Sequence, residues 1–234
     1  MKKLGIIGAM TVEVETLRSN MTELTTTKRA GMTFYEGKLE GVPAVVVVCG
    51  VGKVNAAMCV QVLCDCFGVT HVINTGIAGS LCADLDIGDL VISRDAMYHD
   101  FTCQELNPAY AVGQVPDLEV LRFPADEKLM EAAVTAAKNT DTPQVMVGTI
   151  ASGDQFISNK ERKAKIIADT GAYCTEMEGA AIAHTAWRNG VPFVVIRAIS
   201  DKADDSAQMD YPVFEKIAAR RCAAVTMEMA RTLA

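Results

Sequence analysis

The sequence has no run of lysines or arginines, no long apolar stretch, no Cys-x-x-Cys pair and no internal repeat or low-complexity linker. Each absence removes a class of function. Twenty-two basic residues against 29 acidic leave a net charge of −7, which works against a nucleic-acid backbone or an anionic membrane as the main partner. The longest apolar run, around Val42 to Val51, falls short of the roughly 20 residues a membrane span needs. Met1-Lys2-Lys3 followed by Leu4 to Met10 has the outline of a secretory signal. Glu13 and Glu15 follow at once without a small-x-small cleavage site, so the segment reads as a buried strand. The eight cysteines lie at 49, 59, 64, 66, 82, 103, 174 and 222, with no histidine at zinc spacing. They read as small hydrophobes in a reducing compartment, and the chain is expected in the cytoplasm.

Half the residues are apolar and 22% are charged, the composition of a chain that forms a core. Strands are expected at Leu4–Ile7, Met32–Leu39, Ala44–Cys49, Val69–Asn74, Leu90–Arg94, Gln144–Ile150 and Val191–Ile199. Helices are expected from Thr11 to about Met21, at Val54–Phe67 before Gly68, at Asp126–Lys138 with Asp126 as cap, at Lys160–Asp169, at Gly179–Arg188, and at Asp210–Leu233 with Pro212 in its first turn. The segment from Tyr98 to Pro124 holds three prolines and little periodicity, and long loops of this kind are often functional or interfacial. Alternating strands and helices over residues 1–234 imply one α/β domain of three layers. Its central sheet is expected to be mixed, largely buried and flanked by helices, because the Val-rich strands lack apolar-polar alternation.

Ligands of open α/β sheets bind beyond the carboxyl ends of the strands. The residues expected there include Gly8 to Glu13, Gly50-Val51-Gly52-Lys53, Thr75 to Ser80, Ala151 to Ile157 and Ser200-Asp201. Gly50-Val51-Gly52 lacks the third glycine of the dinucleotide pattern, and Lys53 lacks the Walker surroundings. These glycines make tight turns or admit an uncharged ligand close to the backbone. Asp201 is either a site carboxylate, a helix cap, or a partner for Lys202 or Arg197. Glu13 suits the positive end of a helix dipole whether or not it has chemistry to do. Glu176 and Glu178 flank Met177, and residues two apart do not share a helix face, so at most one is expected to point into a given pocket. Cys174 has no base beside it, and His184 in an alanine-rich helix reads as packed or superficial.

Six stretches together carry a resemblance: GIIGAMTVEVETL (5–17), CGVGKVNAA (49–57), VINTGIAG (72–79), SGDQFI (152–157), TEMEGAAIAH (175–184) and VIRAISDKAD (195–204). In this order and over the whole length, the sequence resembles the 5′-methylthioadenosine/S-adenosylhomocysteine nucleosidases of the nucleoside phosphorylase type I superfamily. The resemblance implies hydrolysis of an adenine nucleoside to adenine and a 5-thio-substituted ribose. It implies that Asp201 is the general acid at adenine N7 and that Glu13 holds the attacking water. Glu178 would bind the ribose hydroxyls with Met177 packed on the sugar. Phe156 would stack near the adenine, the Ile157 backbone would read its edge, and Val51 would line the pocket of the alkylthio group. Ile77, Ala78, Gly79, Glu176 and Ser200 complete the expected substrate site. No metal or organic cofactor is expected. The partner is a small adenine nucleoside, and the protein is expected to be a homodimer in which the 100–115 loop, with Tyr110, reaches the neighbouring subunit's site.

An acid near N7 suits the chemistry, because a departing purine anion is a poor leaving group. A second carboxylate suits an oxocarbenium-like transition state. The alternatives are a phosphate-dependent nucleoside phosphorylase of the same fold, an aminodeoxyfutalosine nucleosidase, and a nucleoside-binding sensor without turnover. Against the phosphorylase, Gly8-Ala9-Met10-Thr11 and Asn74-Thr75-Gly76 contain no arginine for phosphate, and Glu13 would repel it. Two positions depart from the family's pattern. Ile77 stands where a small hydroxyl residue is usual, and Ser80 where a second glycine is usual.

Overall fold

The computed structural model describes residues 2–233. The elements run β1 (Leu4–Gly8), α1 (Thr11–Ser19), β2 (Met21–Arg29), β3 (Met32–Leu39), β4 (Val42–Val48), α2 (Lys53–Phe67), β5 (His71–Ser80) and β6 (Leu90–Tyr98). Then follow β7 (Phe123–Pro124), α3 (Glu127–Lys138), β8 (Val145–Ser152), α4 (Lys160–Thr170), β9 (Cys174–Glu176), α5 (Gly179–Arg188), β10 (Phe193–Asp201) and α6 (Ala207–Thr232).

All ten strands belong to one mixed sheet of order β10-β6-β8-β9-β5-β1-β4-β3-β2, with β7 on β6. β10 also pairs with β5, so β5, β10, β6, β8 and β9 close on themselves while β1 to β4 extend the sheet to one side. The strands bury both faces. Along β10, Val195 and Ile199 join a core with Cys59, Leu63 and Ala183, from α2 and α5. Val194, Ile196 and Ala198 join the opposite core with Leu17, Ala133 and Cys222, from α1, α3 and α6. Helices on both faces therefore give the three layers, and strands covered twice carry no polar face in the sequence.

The expected elements recur with informative differences. The helix from Thr11 stops at Ser19, and Met21–Arg29 is a strand that the sequence reading missed. β2 is an edge strand exposed along most of its length, so its Thr-rich sequence has no buried face to set a period. It bulges between Thr22 and Thr25, opposite Gly37, where a side chain would strike the Thr22 carbonyl. The strands expected to end at Asn74, Arg94 and Ile199 instead run to Ser80, Tyr98 and Asp201. Several residues expected in loops thus stand on strands. The final helix begins at Ala207, which puts Pro212 inside its second turn. Asp126 caps α3 as expected, accepting from Leu129 N at 2.9 Å, and Gly68 ends α2 in the left-handed conformation.

Candidate active site

The carboxyl ends of β1, β4, β5, β8, β9 and β10 converge on one cleft with about 570 Å³ of empty space, including its open mouth. Its mostly apolar lining with a few convergent polar groups suits a small organic ligand. All twelve expected site residues line it. Glu13 and Val51 follow β1 and β4, Ile77, Ala78 and Gly79 stand on β5, and Phe156 and Ile157 follow β8. Glu176, Met177 and Glu178 span the end of β9 and the start of α5, and Ser200 and Asp201 end β10. The wall also includes Met10, Thr175 and Tyr211, which the sequence reading did not single out. Phe156 is half exposed at the mouth, with the Tyr211 ring edge-on at 5.6 Å.

Glu13 sits in the first turn of α1 and turns back on the chain that enters the helix. One carboxylate oxygen accepts from Ala9 N at 2.6 Å and Met10 N at 2.9 Å, and the other accepts from Ile77 N at 3.2 Å. The helix-terminus role is thus real, and the bond to β5 also fixes the carboxylate in the cleft. Burial raises the Glu13 pKa, against the opposing pull of Arg197 and these N–H donors. Gly76 makes the arrangement possible: a Cβ there would lie 2.5 Å from Glu13 Oε1 and would strike the Arg197 guanidinium.

Asp201 is buried, accepting from Ala203 N at 2.8 Å and Ser200 Oγ at 2.9 Å. Lys202 reaches Asp86 at 2.6 Å and Arg197 pairs with Glu176, so neither cation serves Asp201. Burial therefore prevails and raises its pKa, in spite of the two hydrogen bonds. Gly79 opposes Asp201 in the sheet, and a Cβ on it would come within 2.8 Å of the carboxylate. Glu13 is tied to Ile77 and Asp201 stands against Gly79. Their anchor points on β5 are therefore two residues, about 7 Å, apart.

Glu176 and Glu178 both line the cleft, which corrects the expectation that only one would. Glu176 ends β9 and Glu178 is the N-cap of α5, so the helical-face rule does not apply between them. Glu176 anchors the interior. It accepts from Ser152 Oγ, from the N–H groups of Glu178 and Gly179, and from Arg197 Nη2. Glu178 accepts from Gly52 N at 2.8 Å. Burial first, then the neighbouring Glu176, pushes the Glu178 pKa up to about 7.

Arg197 is the buried charge behind the cleft that the sequence reading placed only as a partner for Asp201. It is wholly buried, bonded to Asn74 Oδ1 at 2.6 Å and ringed by Glu176, Glu178 and Glu13. Burial works against its charge, but the three carboxylates outweigh it and raise its pKa. Its Nε and Nη1 have no hydrogen-bond partner. The available signal was a lone cation within Val-Val-Ile-Arg-Ala-Ile, since a charge in a strand buried on both faces requires carboxylates around it.

Two buried carboxyls with raised pKa values, lining one apolar cleft, can act as acid and base on a single ligand. Among the described residues no lysine or arginine lines the cleft, and no group of three metal-ligating side chains is assembled. Residues 3–231 match the phosphorylase superfamily. The chain is 43% identical over 228 residues to the 5′-methylthioadenosine/S-adenosylhomocysteine nucleosidase of Geobacillus kaustophilus, covering 97% of this chain and 96% of that protein. The corresponding enzyme of Neisseria meningitidis, solved with methylthio-immucillin-A, superposes with a TM-score of 0.95 at 39% identity, covering 99% of this chain and all of the other. A futalosine hydrolase of Helicobacter pylori superposes at 0.93 with 31% identity, covering 99% and 98%. The chain therefore belongs to the 5′-methylthioadenosine/S-adenosylhomocysteine nucleosidase family of the phosphorylase superfamily, a family of N-glycosyl hydrolases.

Proposed function

We propose that the protein hydrolyses the N-glycosidic bond of 5′-methylthioadenosine and S-adenosylhomocysteine, releasing adenine and the 5-thio-substituted ribose. The observation that carries this reading is the pair of buried carboxyls, Glu13 and Asp201, on a cleft whose described wall holds no cation. Asp201 donates its proton to N7 as the C1′–N9 bond breaks and the bonding electrons pass to the purine. The carboxylates of Glu13 and Glu178 favour the positive charge that develops on the ribose. A water held by Glu13 attacks C1′, and Glu13 takes its proton. Burial makes Glu13 a stronger base for this step. Glu178 holds the ribose hydroxyls with Met177 on the sugar, Phe156 covers the base, Ile157 reads its edge, and Val51 lines the alkylthio pocket.

A phosphorylase is disfavoured, because a phosphate dianion beside Glu13, Glu176, Glu178 and Asp201 would find no cation on the described wall to pair with. The likeness to futalosine hydrolase supports a second reading, an aminodeoxyfutalosine nucleosidase on the same machinery. Rates on methylthioadenosine, adenosylhomocysteine and aminodeoxyfutalosine, measured side by side, test the substrate assignment. Faster turnover of the first two supports it, and turnover of aminodeoxyfutalosine alone replaces it. The same reading makes the protein a cytoplasmic homodimer, with Tyr110 of the 100–115 loop serving the neighbouring site. Val54 and Met58 on α2, 71% and 41% exposed, supply apolar surface for that contact. Light scattering that finds a monomer would remove this part of the reading.

A further inference from the structure

We infer that Thr175 is a base-reading residue, whose hydroxyl donates a hydrogen bond to ring nitrogen N3 of the bound adenine. The inference rests on the nucleosidase reading and adds to it a contact made by the Thr175 hydroxyl. Thr175 lines the cleft and is 5% exposed, and its Oγ1 is the one buried side-chain oxygen of the described wall without a partner in the protein. A hydroxyl buried in this way destabilises the free protein, and a valine of the same shape would line the wall without that cost. A partner that arrives with the ligand accounts for the hydroxyl.

The sheet indicates which atom that partner is. Asp201 opposes Gly79 on β5, and Gly79 opposes Thr175 on β9, so the three form one row across the sheet. Asp201 and Thr175 therefore stand two strand spacings apart, about 10 Å, with a residue that has no side chain between them. A purine lying over Gly79 meets Asp201 at one edge and Thr175 at the other. In the proposed pose N7 belongs to Asp201, the edge carrying N1 belongs to the Ile157 backbone, and N9 bears the ribose. N3 is the remaining ring acceptor. It flanks N9 on the sugar side, and Met177 and Glu178, which hold the sugar, follow Thr175 directly after Glu176. Pairing of Thr175 with Ala151 on its other side fixes its backbone in the sheet.

Calorimetric binding of adenine and 3-deazaadenine to the wild type, Thr175→Val and Thr175→Ser tests the contact. The expected result is a loss of about tenfold in adenine affinity for Thr175→Val, no such loss for 3-deazaadenine, and recovery in Thr175→Ser. The melting temperature of Thr175→Val should equal or exceed that of the wild type, since an unpartnered hydroxyl has been removed. Equal adenine affinity in wild type and Thr175→Val overturns the inference alone, as does the same loss for both bases. A wild-type protein that binds neither base overturns the nucleosidase reading and this inference with it.

Discussion

Gly52 donates its main-chain N–H to Glu178 Oε1 at 2.8 Å, joining two residues 126 positions apart. The next donor, Lys53 N, reaches Asp154 Oδ1 at the same distance. Gly52, at φ 99°, is the N-cap of α2 and has no side chain to offer, so two N–H groups at the start of that helix are satisfied by carboxylates that follow two other strands. Asp100 extends the network, accepting from Lys53 Nζ at 2.6 Å and Asp154 N at 2.8 Å. The turn at 50–52, Glu178 and the loop that follows β8 are thereby tied together.

Glu178→Gln should raise KM for methylthioadenosine and lower kcat/KM by about tenfold to a hundredfold, the range for losing hydrogen bonds to a charged group. The same variant tests stability against pH. The folded pKa of Glu178 is raised above 4.5, so its stabilising contribution is complete below about 4.5 and is lost as pH rises through about 7. Melting temperatures of the free proteins from pH 5 to 8 should therefore fall more for wild type than for Glu178→Gln. Parallel curves would contradict this.

Asp201→Asn keeps an acceptor oxygen for Ala203 N, and its amide can donate to Ser200 Oγ, but it cannot donate a carboxyl proton. It should fold normally and lose about 10² to 10⁴ in kcat on methylthioadenosine. A ribosyl substrate whose leaving group needs no proton should be cleaved by this variant at close to the wild-type rate. Because burial raises the Asp201 pKa, wild-type kcat/KM should decline on the alkaline side as the acid ionises. A nucleoside turnover near that of wild type in the variant would remove Asp201 from the acid role.

Much of this site was legible because its chemistry lies where strands end, and those ends carry residues a core does not need. Glu13, Glu178 and Asp201 stand beside apolar runs in the sequence, and all three face one cleft. What escaped notice depends on contacts distant in sequence. Arg197 resembles any basic residue until Glu176, Glu178 and Glu13 are seen around it. Thr175 appears as one residue of a short run, because the three-residue strand β9 is too brief to show a period. β2 was hidden for the opposite reason, its exposed edge carrying no apolar signal. The early ends assigned to β5 and β10 followed their glycines and polar residues, which break a propensity reading but fit closely packed strands beside Glu13 and Asp201.

Glu176→Leu should lower stability by about 3 to 5 kcal/mol, the cost of leaving one member of a buried pair unmatched. Arg197 would keep Glu13 and Glu178 nearby but lose its direct ionic partner. Urea unfolding checks this, and a loss under about 1 kcal/mol would mean that the remaining carboxylates suffice.

Gly76→Ala should reduce kcat without a matching rise in KM. Its methyl group would occupy the space shared by Glu13 Oε1 and the Arg197 guanidinium, displacing Glu13, the group assigned to the water, and not those assigned to the sugar or base. Steady-state kinetics together with a melting curve distinguish this from general unfolding. Unchanged kcat would place the attacking water elsewhere.

Adenine release from methylthioadenosine, followed in phosphate-free buffer and again with phosphate, with the sugar product identified, tests the central claim most directly. Equal rates and free methylthioribose in both buffers are predicted, because the described cleft pairs Glu13 with Asp201 and lines no cation for phosphate. Release that requires phosphate and yields a sugar phosphate would contradict the hydrolytic role given to Glu13.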